Sequence, residues 1–192
     1  MTKPRKANPD AILDAAAELF ASRQFHEVRL DDIAASAHVG KGTLYLYWRS
    51  KEDVYLAIIR RGFAAVLDRI RDHPASSQAD AWQSLEAIVE ALVEFAFKYP
   101  GVYRIMRSGI LTPEDADLQR VRGLLVDKIV EALRRGIASG VLEDESPELT
   151  SQYVLSFVRG AVLYPPEGLT PESLRHHMMR LLRRGLGKEP RP

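Results

Sequence analysis

Cysteine is absent from the 192 residues, so disulfides, thiolate catalysis and cysteine-ligated metal sites are excluded. Long apolar runs are missing as well. None approaches the roughly 18 consecutive residues that a membrane-spanning helix requires, and the opening MTKPRKANPD holds no apolar signal core. The expectation is a soluble, unexported protein of the cytoplasm, with no membrane partner. Net charge is close to zero, at +1, which is not the balance of a broadly basic nucleic-acid coat. Enzymatic signatures are lacking too. The five histidines show no H-E-x-x-H spacing, the phosphate-loop pattern G-x-x-x-x-G-K-[ST] does not occur despite a faint likeness at Gly40-Lys41-Gly42-Thr43, and there is no nucleophile elbow. No enzyme, metal or cofactor is expected.

What is present is helix. A hydrophobic fraction of 46% suits a globular protein, no stretch reads as a strand, and apolar residues recur at helical spacing throughout, predicting an all-α fold of about nine helices. Asn8-Pro9-Asp10 opens the first with a cap, a first-turn proline and an acid at the positive end, and Ile12, Ala16, Leu19 and Phe20 form its buried face to about Ser22. Ser50 caps a long helix from Lys51 to about Asp72, with Asp53 as its capping-box partner and Val54, Ile58, Phe63, Val66 and Ile70 broadly on one side. Another runs from Asp80 to Tyr99. Its Glu86, Glu90 and Glu94 read either as a solvated face or as a site for a cation. Pro100-Gly101 breaks it and a short helix follows over 102–108. Thr112-Pro113-Glu114, Ser146-Pro147-Glu148 and Thr170-Pro171-Glu172 then announce three more in one style, ending near Ser139, Leu163 and Gly185. The tail over 188–192 is expected to be disordered.

The stretch from Val28 to Lys51, VRLDDIAASAHVGKGTLYLYWRSK, organises the rest. Asp31 to Ala37 is a short helical run, His38-Val39-Gly40 a turn, and Lys41 to Trp48 a second run in which Leu44 and Trp48 face the first. Helices this short need a scaffold. The second displays Lys41, Gly42, Thr43, Tyr45 and Tyr47: an ammonium, a bare backbone, a hydroxyl and two phenols, which suit phosphate oxygens and base edges in a major groove of double-stranded DNA. The alternative is an ordinary helical corner with packed tyrosines. Lys51 at a helix start is a further phosphate site, Arg29 another candidate, and Lys3, Arg5 and Lys6 form either a solvated tail or an arm on phosphates.

The run from Ile12 to Ile59 resembles the N-terminal DNA-binding domain of the TetR family of bacterial transcriptional repressors. The likeness rests on Ala16-Ala17-Glu18-Leu19-Phe20, on Asp32-Ile33-Ala34, and on Val39-Gly40-Lys41-Gly42-Thr43-Leu44-Tyr45 leading through Trp48 to Ser50-Lys51-Glu52. Val28 and Arg29 stand where Thr or Ser is common in the family, so Asp31 is expected to cap the second helix, or Arg29 to reach a phosphate. The resemblance implies a helix-turn-helix domain over 1–50 and a helical effector-binding and dimerisation domain over 51–187, with 51–72 as the connecting helix.

It also implies a homodimer through a four-helix bundle of the last two helices, whose apolar residues include Tyr153, Phe157, Val158, Ala161, Leu174, Met178, Leu181 and Leu182. Taken alone, that surface reads equally as core. Trp82, Phe95, Tyr99, Tyr103, Met106 and Phe157 make an aromatic set that is either plain core or the wall of a cavity for a largely apolar small-molecule effector. The expected function is a dimeric, ligand-responsive repressor at a palindromic operator. A constitutive or activating regulator and a helical adaptor are the rivals.

Overall fold

The computed structural model describes residues 8–72, 80–101 and 116–187. Arg5, Tyr103, Met106, the helix expected over 102–108, the start expected at Thr112 and the tail lie outside the described residues. Among those described there are eight α-helices, one short 3-10 turn and no strand, so the all-α expectation holds. An isolated bridge joins Leu142 to Gly187, where the Glu143 N–H donates to the Leu186 carbonyl at 2.8 Å. No helix among these residues is long and apolar enough to cross a membrane. The chain divides into two compact units.

The first unit holds α1 (Pro9–Ser22), the 3-10 turn (Phe25–Glu27), α2 (Leu30–Ser36), α3 (Lys41–Tyr45), the opening of α4 (Lys51–Asp72) as far as Arg61, and residues 99–101. Asn8 caps α1 by accepting from the Asp10 N–H at 3.1 Å. Ile12, Leu13, Ala16 and Phe20 turn inward from it. Phe20 stacks on Phe25 at 5.2 Å between centroids, and the Tyr55 ring meets both edge-on at 5.8 and 5.9 Å. Such aromatic pairs contribute about 0.5–1.5 kcal/mol each beyond the area they bury. Around them close Val28, Ile33, Leu44, Val54, Ile58 and Ile59. Arg61 ties α4 to α1, donating to the Asp10 carbonyl at 3.0 Å and to Asp14 at 2.6 Å. Helical backbone resumes at Pro100 and Gly101 directly after Tyr99. Gly101 lies so close to α1 that a Cβ there would come within 2.9 Å of the Ala21 backbone.

The second unit holds the remainder of α4, with α5 (Ala81–Lys98), α6 (Ala116–Ala138), α7 (Pro147–Leu163) and α8 (Pro171–Leu186). Helix α5 is its centre. Leu85, Ile88, Val89, Leu92, Val93 and Phe95 bury apolar side chains round most of its circumference, the pattern of a helix surrounded by others. Ser146 and Thr170 cap α7 and α8 as the sequence predicts, accepting from Leu149 and Ser173 N–H groups at 3.3 and 3.1 Å.

The glutamates of α5 form neither a bare solvated face nor a cation site. Glu94 pairs with Arg69 at 2.7 Å, Glu90 with Arg69 and Arg175 at 3.7 and 3.6 Å, and Glu86 with Arg175 and Arg183 at 3.9 and 4.0 Å. The ladder joins α5 to α4 and α8. Half-exposed pairs of this kind add little each, but as a network they fix the register of three helices.

Candidate nucleic-acid interface and cavity

Helix α3 is shorter than expected and ends at Tyr45, with Leu46 as its C-cap. The turn before it takes its left-handed residue at His38, with φ of 53°, and not at Gly40, which has φ of −69° and serves as the N-cap. Leu44 is fully buried and Trp48 nearly so, and these two anchors fix the outward face by holding the inward one. Tyr45 and Tyr47 are 52% and 45% exposed, and Leu46 between them is 82% exposed. Lys41 and Gly42 are exposed and Thr43 half-exposed on the same short segment. A Cβ on Gly42 would meet nothing within 4 Å, so no contact inside the chain requires glycine there.

The electrostatics tie α3 to α2. The Lys41 ammonium donates to the Asp31 carboxylate, and that hydrogen bond, then the Asp31 charge, raises its pKa above the ordinary lysine value. Asp31 is therefore not the cap of α2. Arg29 is the N-cap, and Asp32 in the first turn accepts from the Arg29 N–H at 3.0 Å, while the Arg29 side chain is exposed. Lys51 is turned inward. Its ammonium donates to the Phe25 and Val28 carbonyls at 2.8 and 3.2 Å and lies 4.6 Å from the Phe25 ring centroid, closing the loop between α1 and α2. The start of α4 is capped reciprocally: Ser50 Oγ accepts from the Asp53 N–H, and the Asp53 carboxylate accepts from the Arg49 and Ser50 N–H groups, all at 3.0 Å.

In the second unit a cavity of about 580 Å³ opens between α4, α5 and α6. Leu67, Ile70, Ala87, Ile88 and Leu124 supply its apolar wall, and Ser84 and Arg135 lie in the same lining. Arg71, Asp127, Lys128 and Glu131 complete it. The Lys128 ammonium hydrogen-bonds Glu131 at 2.9 Å and holds its carboxyl below the ordinary value. The described members of the aromatic set fall elsewhere. The Trp82 ring lies under the Arg183 guanidinium at 4.9 Å, Phe95 packs on Phe63 at 6.1 Å, Phe157 is on an outer face, and Tyr99 is half-buried in the first unit. Ser84 and Arg135, bonded to one another across 51 residues of sequence, carry no local signal that could have singled them out.

The candidate dimer residues also separate. Val158, Leu174, Met178 and Leu182 are buried within the chain and belong to its core, and Ala161 is half-buried. Tyr153 and Phe157 stack outward from α7 with centroids 6.4 Å apart, and Leu181 is exposed on α8. Leu149 and Tyr164, which helical spacing alone did not mark, are exposed with them.

Residues 12–58 match the model of bacterial regulatory proteins of the tetR family, and residues 78–186 match the tetracyclin repressor-like C-terminal domain. The chain belongs to the TetR family. The all-helical architecture, with a helix-turn-helix in the first unit, is that of the family. The chain is 33% identical over 103 residues to the transcriptional activator FasR of Mycolicibacterium smegmatis, a match covering 54% of this chain and 47% of that protein. It is 30% identical over 78 residues to a fatty acid metabolism regulator protein of Bacillus subtilis, covering 41% of this chain and 40% of the relative. Matched segments thus span less than half the length of these relatives. The solved structure of AibR with isovaleryl coenzyme A and operator DNA superposes with a TM-score of 0.71 at 24% identity, over 90% of this chain and 96% of that one.

Proposed function

We propose that this TetR-family chain is a homodimeric, ligand-responsive repressor that reads a palindromic operator with α3 and releases it when a small, largely apolar effector binds the second unit. The observation that carries the reading is the exposed row Lys41, Gly42, Tyr45, Leu46 and Tyr47, with Thr43 beside it, held by buried Leu44 and Trp48. The tyrosine hydroxyls and Thr43 suit base edges and phosphate oxygens, Leu46 suits a thymine methyl, and Lys41 and Arg29 suit phosphates. Arg5 remains a candidate for the same role, whereas Lys51 would act by fixing the loop that carries Arg29. A two-fold dimer places two such readers on half-sites about 34–36 Å apart, or a multiple of that. Tyr153, Phe157 and Leu181 offer the surface for it.

Effector control is then a coupling between sites: a ligand that weakens operator binding by some factor is itself bound more weakly by that factor in the presence of operator. The name of the Bacillus subtilis relative and the acyl thioester in the AibR structure support an effector with an acyl chain. An activating regulator is the second reading, favoured by the name of FasR. The test is fluorescence anisotropy against DNA flanking the chain's own gene, at two salt concentrations with unrelated DNA as competitor. Saturable binding that survives competitor, at two or four chains per site, is the expected result. Binding equal to that of competitor at both salts would refute autoregulation.

A further inference from the structure

We infer that the cavity of the second unit takes an amphipathic carboxylate, with the head on Arg135 and Ser84 and the hydrocarbon chain along Leu67, Ile70 and Ile88. This rests on the reading of that unit as the effector-responsive one and adds the chemical class and the anchor. Arg135 on α6 donates through Nη2 to Ser84 Oγ on α5 at 3.0 Å, and Ser84 is buried. The Arg135 Nε–H is sealed from solvent and has no hydrogen-bond acceptor. A guanidinium is always charged, and because the sealed Nε–H has no room for a ligand oxygen, the groups that can meet one are the other N–H donors of the fork and the Ser84 hydroxyl. A carboxylate is planar and fits the guanidinium fork with two parallel bonds.

Glu131, one helical turn from Arg135, feels its charge but hydrogen-bonds Lys128. Lys128 is matched by Glu131, and Arg71 pairs with Asp68 at 2.9 Å. Asp127 is exposed, two helical turns and so about 12 Å along α6 from Arg135. The lining thus joins the Ser84–Arg135 corner, an apolar wall from α4 and α5, and a charged stretch of α6 between Arg135 and Leu124. A volume of about 580 Å³ accommodates a fatty-acid-sized molecule. A thioester has no carboxylate to place on Arg135, so the free acid is the species selected.

The test is calorimetric titration of the full-length protein with dodecanoate, methyl dodecanoate, dodecanoyl coenzyme A and dodecylamine, for the wild type and for Arg135→Gln. DNA binding of each ligand-free protein is measured in parallel. Dodecanoate is expected to bind the wild type more tightly than the methyl ester by about tenfold or more, the worth of a hydrogen bond to a charged group. In Arg135→Gln the acid loses that advantage while the ester is unchanged. Equal binding of acid and ester by the wild type, tighter binding of the thioester or the amine, or an advantage that survives Arg135→Gln would each overturn the proposal. If that variant does not fold, Arg135→Lys keeps the charge and loses the fork, and an undiminished acid preference there would be equally fatal. No binding of any of the four probes, with DNA binding intact, defeats the ligand class and leaves the DNA reader standing. Loss of DNA binding in the wild type defeats the reading beneath it.

Discussion

Glycine inside a helix costs up to about 1 kcal/mol relative to alanine. Gly42 bears that cost on α3 although a Cβ would meet nothing within the chain. On the proposed reading, glycine there leaves room for DNA backbone to come close. Gly42→Ala is expected to raise the melting temperature, by about 2–4 °C at most, and to weaken operator binding. Thermal melts and anisotropy on one preparation check both signs, and a variant that binds DNA as well as wild type would remove Gly42 from the interface. Lys41 calls for a different readout. Its bond to Asp31 is on the surface, so Lys41→Ala should leave stability almost untouched. If Lys41 reaches one phosphate, the slope of log affinity against log salt should fall by roughly 0.9. An unchanged slope would place the ammonium on Asp31 alone.

Acid pH acts through Glu131, whose carboxyl is held below its ordinary value by the Lys128 hydrogen bond. A depressed carboxyl contributes stability above its unfolded value and loses it as pH falls through the folded one. Glu131→Gln should therefore narrow the stability difference between neutral and acid pH, with the change confined to the acid side, as followed by urea denaturation across that range.

At the scale of the element, what could be read in advance was punctuation. Asn8, Ser50, Ser146 and Thr170 each stand before a helix, and each accepts a backbone N–H as its residue type demands. Local signals of this sort act within four residues, so they survive whatever the rest of the chain does. The turn before α3 was harder, because Gly40 is the residue usually associated with a left-handed conformation and His38 adopts it here. The glutamate ladder was opaque for another reason. Its partners Arg69, Arg175 and Arg183 sit on two other helices, and no periodicity within α5 reveals them. The Ser84–Arg135 bond is the same case, joining two helices across 51 residues of sequence. The caps give a direct prediction. Ser50→Ala should cost about 1 kcal/mol, and Asp53→Ala more, because its carboxylate accepts from two backbone N–H groups where Ser50 Oγ accepts from one. Denaturant midpoints at constant slope measure both. Equal costs would mean that water replaces the carboxylate.

For the whole molecule the open question is what covers Tyr153, Phe157 and Leu181. Single exposed apolar side chains are ordinary on any surface. A stacked aromatic pair at 50% and 44% exposure, with Leu149 and Tyr164 also exposed, is a larger apolar surface on one helix and its end. A stable dimer buries about 1,200–2,000 Å² in total, and an aromatic pair near its centre would supply the anchors. Phe157→Glu puts a charge at that position without touching the chain's own core, since the ring is not needed to fill it. The variant is expected to keep its helical content and sediment as a monomer where the wild type sediments as a dimer. It should also lose most of its affinity for a two-half-site operator while binding a single half-site as the wild-type subunit does. That last comparison separates the causes. A monomer that reads half-sites normally shows the face to be an interface and α3 to be intact. Weakened half-site binding would mean that the charge had damaged the fold, and a dimer that persists would place the two-fold contact elsewhere.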